Sequence, residues 1–306
     1  DRQRWLAYGA PGEVQVARAY TRNGKKELDT FIGEMEEALV LPQILAPAKA
    51  EFSEWYQQGY LKAWNDFLVF FPRGVERLKG RDEWQKMATK VATNEGPYFA
   101  VLARASDELE PYALTRDLPG WQRLLHRLQL VRAQIATEEL SQDKGLLGKA
   151  AEKGKQIISD IEKTVARVPG ISFESQAKAV QSYRDYQGSL VNLSKVSEST
   201  KLSYDITSQV FSQDEVTGQS PFFGASRAGT SLKNVLTASA SQEDPFWKVA
   251  NGPLDFLWIY MRNETSCHLQ KRWEEEVMGE ALGITDWQAE LERILGENGF
   301  AWKYVK

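Results

Sequence analysis

Three observations predict an all-α protein: helical apolar spacing recurs in almost every segment, strand alternation is nearly absent, and most of the ten tryptophans fall inside the helical stretches. The aromatic investment is in packing. With two histidines and one cysteine among 306 residues, little remains for a nucleophile beside a base or for a metal cage. The expected architecture is a multi-helix array of two helical subdomains, residues 1–145 and 146–306, with a short extended segment at each end.

The first twenty residues carry Pro11-Gly12 and a short alternation around Val14 and Val16, which suits an extended lead-in. From Lys25 onward, Leu28, Phe31, Ile32, Met35 and Leu39 recur at helical steps until Pro42 and Pro47 interrupt them. Phe52, Trp55, Tyr56, Leu61, Trp64, Phe67, Leu68 and Phe71 renew the pattern as far as Pro72, and Arg73-Gly74 makes a stop. A helix over 82–93 (Trp84, Met87, Val91) ends in Asn94-Glu95-Gly96-Pro97, and Pro97 is placed to open the next one. After Pro119-Gly120, Trp121, Leu124, Leu125, Leu128, Val131 and Ile135 form a stripe.

Residues 141–148 are polar and contain glycine, as a joint would. Leu147, Ala151, Ile158, Ile161 and Val165 then outline an amphipathic helix that Pro169-Gly170 ends, and residues 173–193 and 196–211 supply two more. Residues 213–231, rich in Ser, Gly, Thr and Gln, read as a loop before a short helix over 231–240, and a helix-rich tail begins at Asp244. At the end, Phe300, Trp302 and Tyr304 alternate with Ala301, Lys303 and Val305. That predicts an extended segment with the three aromatic rings on one side, a possible partner contact.

A formal charge of −4 with both signs interspersed gives no footprint for nucleic acid. The apolar runs fall short of the roughly 18 residues needed to span a membrane. A lone Cys267 excludes an internal disulfide and leaves the redox compartment open. The chain begins at Asp1, which reads as a piece of a longer protein.

Each chemical motif is outweighed by a structural reading. Gly148 and Gly154-Lys155 have the wrong spacing for a phosphate loop, and Gln156 stands where a Ser or Thr must reach magnesium. Cys267-His268 would diverge by about 100° on a helix, so Cys267 is expected to be a buried or half-buried structural thiol. His126, flanked by Leu125 and Leu128 without a second ligand nearby, reads as a core-edge histidine. The runs Glu36-Glu37, Glu138-Glu139 and Glu274-Glu275-Glu276 read as solvated helix faces. The apolar run 67–71 is expected to be buried. No catalytic residue, cofactor or metal ligand is assigned. The expected core includes Trp64, Phe67, Trp84, Trp121, Leu269 and Trp273.

Two blocks are more distinctive than any of these. The first is Trp64-Asn65-Asp66-Phe67 through Pro72-Arg73-Gly74, Trp84 and Pro97-Tyr98-Phe99. The second is Phe246-Trp247, Asn251-Gly252-Pro253-Leu254 and Leu269-Gln270-Lys271-Arg272-Trp273-Glu274-Glu275-Glu276-Val277. In their joint order they resemble the periplasmic helical region of the type VI secretion inner-membrane proteins, the TssM or IcmF family, from about Phe31 to Trp302. The resemblance implies a structural periplasmic module of an envelope-spanning complex. Its parent would be anchored in the inner membrane beside a TssL-like protein, would self-associate, and would reach a TssJ-like outer-membrane lipoprotein. The family binds that lipoprotein through a β-rich part expected to follow this chain, so these 306 residues alone should bind it weakly. Without the resemblance, the residues equally allow a helical adaptor unrelated to secretion, and more remotely a hydrolase using Cys267 or His126.

Overall fold

The computed structural model describes residues 14–113, 118–142, 173–236, 244–279 and 286–305. Of these, 86% are helical, and no strand occurs among them. That is far above the roughly one third usual for globular proteins and establishes the all-α class. The amphipathic helix expected around 147–165, the motif at 148–156, and the joint and subdomain boundary near 145 lie outside the described residues.

Local chemistry explains most helix starts. Helix α1 (Arg22–Ala38) is capped by Thr21, whose hydroxyl accepts the Gly24 N–H at 3.1 Å. A 3-10 turn over Pro42–Leu45 follows, and α2 (Ala46–Phe70) starts with Pro47 in its first turn. The Pro72-Arg73-Gly74 stop becomes a second 3-10 turn, Phe71–Arg77. Helix α3 (Gly80–Lys90) opens on Gly80, which has a φ of 71° that only glycine adopts easily. Helix α4 (Pro97–Leu109) starts at its proline, and α5 (Gly120–Gln142) follows Pro119-Gly120.

Beyond them come α6 (Phe173–Ser194), α7 (Thr200–Ser212), α8 (Pro221–Leu236), α9 (Asp244–Ala250) and α10 (Gly252–Trp273). Ser199 caps α7 by accepting the Lys201 and Leu202 N–H groups. A π turn, Glu274–Met278, continues α10, and α11 (Trp287–Leu295) and α12 (Phe300–Val305) end the chain.

One core runs through both halves of the sequence. Tyr56, Tyr60, Trp64 and Leu68 of α2 belong to it together with Phe99 and Leu102 of α4, Trp121 and Leu125 of α5, Tyr183 and Leu190 of α6, and Phe256 and Tyr260 of α10. The short helix α9 sits at its centre against α2, α4, α5 and α10, with Phe246, Trp247, Val249 and Ala250 all buried. Buried tyrosines are satisfied by backbone: the Tyr60 hydroxyl donates to Glu108 O at 2.7 Å and the Tyr186 hydroxyl to Ala250 O at 2.9 Å. Burial pushes both phenols well above their ordinary pKa, so they stay neutral donors.

Two expectations are corrected. Residues 221–231 are not loop: α8 begins at Pro221, ahead of the helix read over 231–240. The helix packs extensively on α6, with Gly229 against the Tyr186 ring. Ala225 is fully buried, and a Cβ built at Gly229 would lie 3.1 Å from the Tyr186 ring, with Leu232 and Leu236 continuing the same buried stripe. Small residues at helical spacing allow close approach, whereas the composition alone resembles a linker.

The C-terminal extended segment is likewise a helix, α12. Ala301 and Tyr304, three residues apart, face inward, while Trp302 points away and is exposed. The Tyr304 hydroxyl donates to Leu269 O at 2.8 Å, and its ring meets Trp273 edge-on at 5.4 Å. Phe300, Trp302 and Tyr304 therefore do not share a side. At the other end, residue 17 is extended (φ −60°, ψ 147°) before the 3-10 turn Arg18–Tyr20.

Candidate interaction surface

The structure places the expected core residues in three tiers. Trp64 and Trp121 are in the core. Phe67 and Trp84 are half-buried against it, Trp84 lying flat on Phe256 at 5.1 Å. Leu269 and Trp273 lie outside it and are only half-buried, and the last turns of α10 that carry them hold α12. In the run 67–71, Leu68 and Phe71 are buried but Phe70 is exposed.

The reactive residues are not brought together. Cys267 is exposed, correcting the expectation of a buried thiol, because it lies on the outer face of α10. His268 instead leans on the Tyr204 ring of α7 at 5.0 Å. The carboxylate runs hold salt bridges and hydrogen bonds. Gln270, Lys271 and Arg272 contact Glu274, Glu275 and Glu276 one turn on, Arg272 through two N–H groups at 2.7 and 2.9 Å. Glu138 accepts from Arg184 and Gln134, and Glu36 from Lys49. Among the described residues no three His, Cys, Asp or Glu side chains gather as metal ligands would. A cleft of about 310 Å³ lies between α4, α5 and α6. Several of its polar groups are already hydrogen-bonded: Gln187 donates to Asn94 at 2.7 Å, Ser106 to Gln129, and Arg132 to Phe99 O.

His126 is the one strongly perturbed histidine. Burial lowers its pKa to about 4, and its Nε2 has no hydrogen-bond partner among the described residues. Gln122, one turn earlier on α5, is fully buried, and neither amide atom is hydrogen-bonded among the described residues. A folded pKa below the unfolded value near 6.5 means that the unfolded chain takes up the proton first. Stability attached to His126 is therefore complete above about pH 6.5 and is lost as pH falls toward 4, by an amount on the order of 3 kcal/mol. His126→Phe should flatten this part of the pH profile. Urea midpoints at pH 7 and pH 5 measure it, and equal pH dependence in both proteins would show that the ring is solvated in the folded state.

What remains prominent is the surface of the α1–α2 hairpin. The buried Glu108 holds its base: the carboxylate accepts the Arg22 N–H at the first residue of α1 and pairs with Arg104, both at 2.5 Å. Beyond Gly24, α1 has no buried residue, and α2 has none before Tyr56. Between these points Phe31, Met35, Leu39, Val40, Leu41, Ile44 and Trp55 are exposed, Val40 at 96% and Ile44 at 70%. A second exposed stripe on α11 is formed by Trp287, Leu291 and Leu295.

The class these features define is an all-α protein with one aromatic-rich core and exposed apolar residues on α1, α2 and α11. No family model matches the chain, and no curated protein or solved structure matches it either.

Proposed function

We propose that the chain is a structural periplasmic module of a type VI secretion membrane complex, linking inner-membrane and outer-membrane components. The observation that supports this reading is the meeting of the two resemblance blocks. Trp84 of the first stacks on Phe256, just past the second block's Asn251-Gly252-Pro253-Leu254. Tyr98 of the first packs so closely on Gly252 that a Cβ there would lie 2.1 Å from its ring. Phe246 and Trp247 fill the space against α2 and α4. Blocks far apart in sequence thus specify a single junction, as expected if their joint order marks one folded unit and not a scatter of common residues. The remaining block, Leu269 to Val277, seats α12: Tyr304 binds Leu269 O, and Val277 is fully buried.

In this reading the module carries position and load through packed helices and performs no chemistry. A TssL-like protein would be its inner-membrane partner. A TssJ-like lipoprotein would be reached through the β-rich part that the resemblance places after this region. The test is co-isolation of the full protein carrying this chain from bacterial envelopes, with tagged TssL-like and TssJ-like proteins as bait. Recovery with both, together with loss of secretion when this region is deleted, is the expected result. Recovery with neither, at normal expression, would leave a helical adaptor of another system.

A further inference from the structure

We infer that the distal half of the α1–α2 hairpin is a docking surface for an amphipathic helix of a partner protein whose apolar stripe is flanked by lysine or arginine. The inference goes beyond the secretion reading and does not depend on it. Two observations carry it. First, Phe31 and Met35 are exposed one helical turn apart on α1, the exposed Leu39, Val40, Leu41 and Ile44 follow in the connection, where Leu39 is already extended, and Trp55 of α2 is exposed as well. Contiguous exposed apolar surface of this kind marks interaction sites on soluble proteins. A row of anchors at such steps is how a helical partner is gripped.

Second, the surface is strongly negative. Residues 30–58 contain five glutamates against the single Lys49, which gives this stretch the whole formal charge of −4 and leaves the rest of the chain balanced. Lys49 is already paired with Glu36 at 2.8 Å. Glu34, Glu37, Glu51 and Glu54 have no ion-pair partner among the described residues. Glu34, Glu36 and Glu37 also crowd the C-terminal end of α1, whose own last turn carries no basic residue, and Lys49 offsets only Glu36. The helix dipole is negative at that end, so carboxylates there cost stability on their own. A cationic partner turns both costs into attraction.

The same charge decides between occupants. A second copy of this hairpin would set glutamates against glutamates, and an anionic bilayer would repel the rim; only a basic flank satisfies it.

The test uses the purified chain and two synthetic peptides about five helical turns long. Both carry the same leucine stripe, one flanked by lysine and the other by glutamate. Calorimetry should show the lysine peptide binding at least about tenfold tighter, with the preference shrinking at about 0.5 M salt. Changing Glu34, Glu37, Glu51 and Glu54 to Lys should reverse the preference. Leu41→Ser with Ile44→Ser should weaken the lysine peptide by about tenfold or more at an unchanged unfolding midpoint, since both side chains are exposed. Equal affinity for the two peptides, or indifference to the hairpin substitutions, overturns the inference. So does concentration-dependent dimerisation that Leu41→Ser/Ile44→Ser abolishes, which assigns the surface to a second copy. Binding to phosphatidylglycerol vesicles that the same double change abolishes assigns it to a membrane and overturns it equally.

Discussion

Trp64→Ala is expected to destabilise the protein by about 3–5 kcal/mol, the range for truncating a buried aromatic side chain. Trp64 is 5% exposed on the inner face of α2, with its ring edge-on to Phe67 at 5.8 Å. Its indole N–H donates to Tyr20 O at 2.9 Å, so the side chain also fixes the 3-10 turn that leads into α1. Removing it opens a cavity among side chains that are themselves held by neighbours and leaves a carbonyl unpaired. Trp64→Phe separates the two losses: it keeps most of the volume, gives up the hydrogen bond, and should cost about 1–2 kcal/mol. Trp273→Ala should cost about 1 kcal/mol, because that ring is half-buried and holds only α12. Urea midpoints at unchanged slope give the comparison. A loss below about 0.5 kcal/mol for Trp64→Ala would place the ring on the surface and undo the assignment of the core.

The contrast between the two tryptophans shows where sequence reading works. Pro97 made the helix start at 97 legible, because a missing N–H and a fixed φ suit a first turn, whereas Pro47, read as an interruption, also lies in a first turn. The stripe from Trp121 to Val131 was legible because its period is helical and its inward residues are buried in the structure.

Composition misled at α8. Ala225 and Gly229 look like linker residues until Tyr186 is seen beside them, and that neighbour is remote in sequence. Alternation misled at α12, where six residues are too few to distinguish period 2 from period 3.6 and the Tyr304 to Leu269 bond settles the matter. Exposure of the hairpin was illegible for a related reason. Phe31, Met35 and Leu39 carry the pattern of a core-facing helix, and nothing local says that no core reaches them. Surface function on this chain resides where a buried-type pattern is left uncovered, which only tertiary structure can reveal.

The second large effect concerns a charge pair and is asymmetric. Glu264 of α10 is 4% exposed, and Arg81 of α3 meets it with two N–H groups at 2.9 and 2.7 Å. The arginine side chain itself is 60% exposed. Removing either partner breaks the same two bonds, but what is left behind differs. Glu264→Leu leaves a guanidinium that water already solvates, and puts an apolar side chain where the surroundings are largely apolar, beside Tyr260 and Met261; its cost should stay below about 1 kcal/mol. Arg81→Leu leaves a carboxylate enclosed in α10 with no cation, and should cost about 3 kcal/mol, the lower end of the range for stranding a buried charge because solvent lies just outside. The double change Arg81→Leu with Glu264→Leu should recover most of that loss, since no charge is then stranded. Denaturant titration of the three variants measures the cycle. Equal losses for the two single changes would mean that water reaches Glu264, and that the pair holds α3 to α10 no more firmly than an ordinary surface salt bridge.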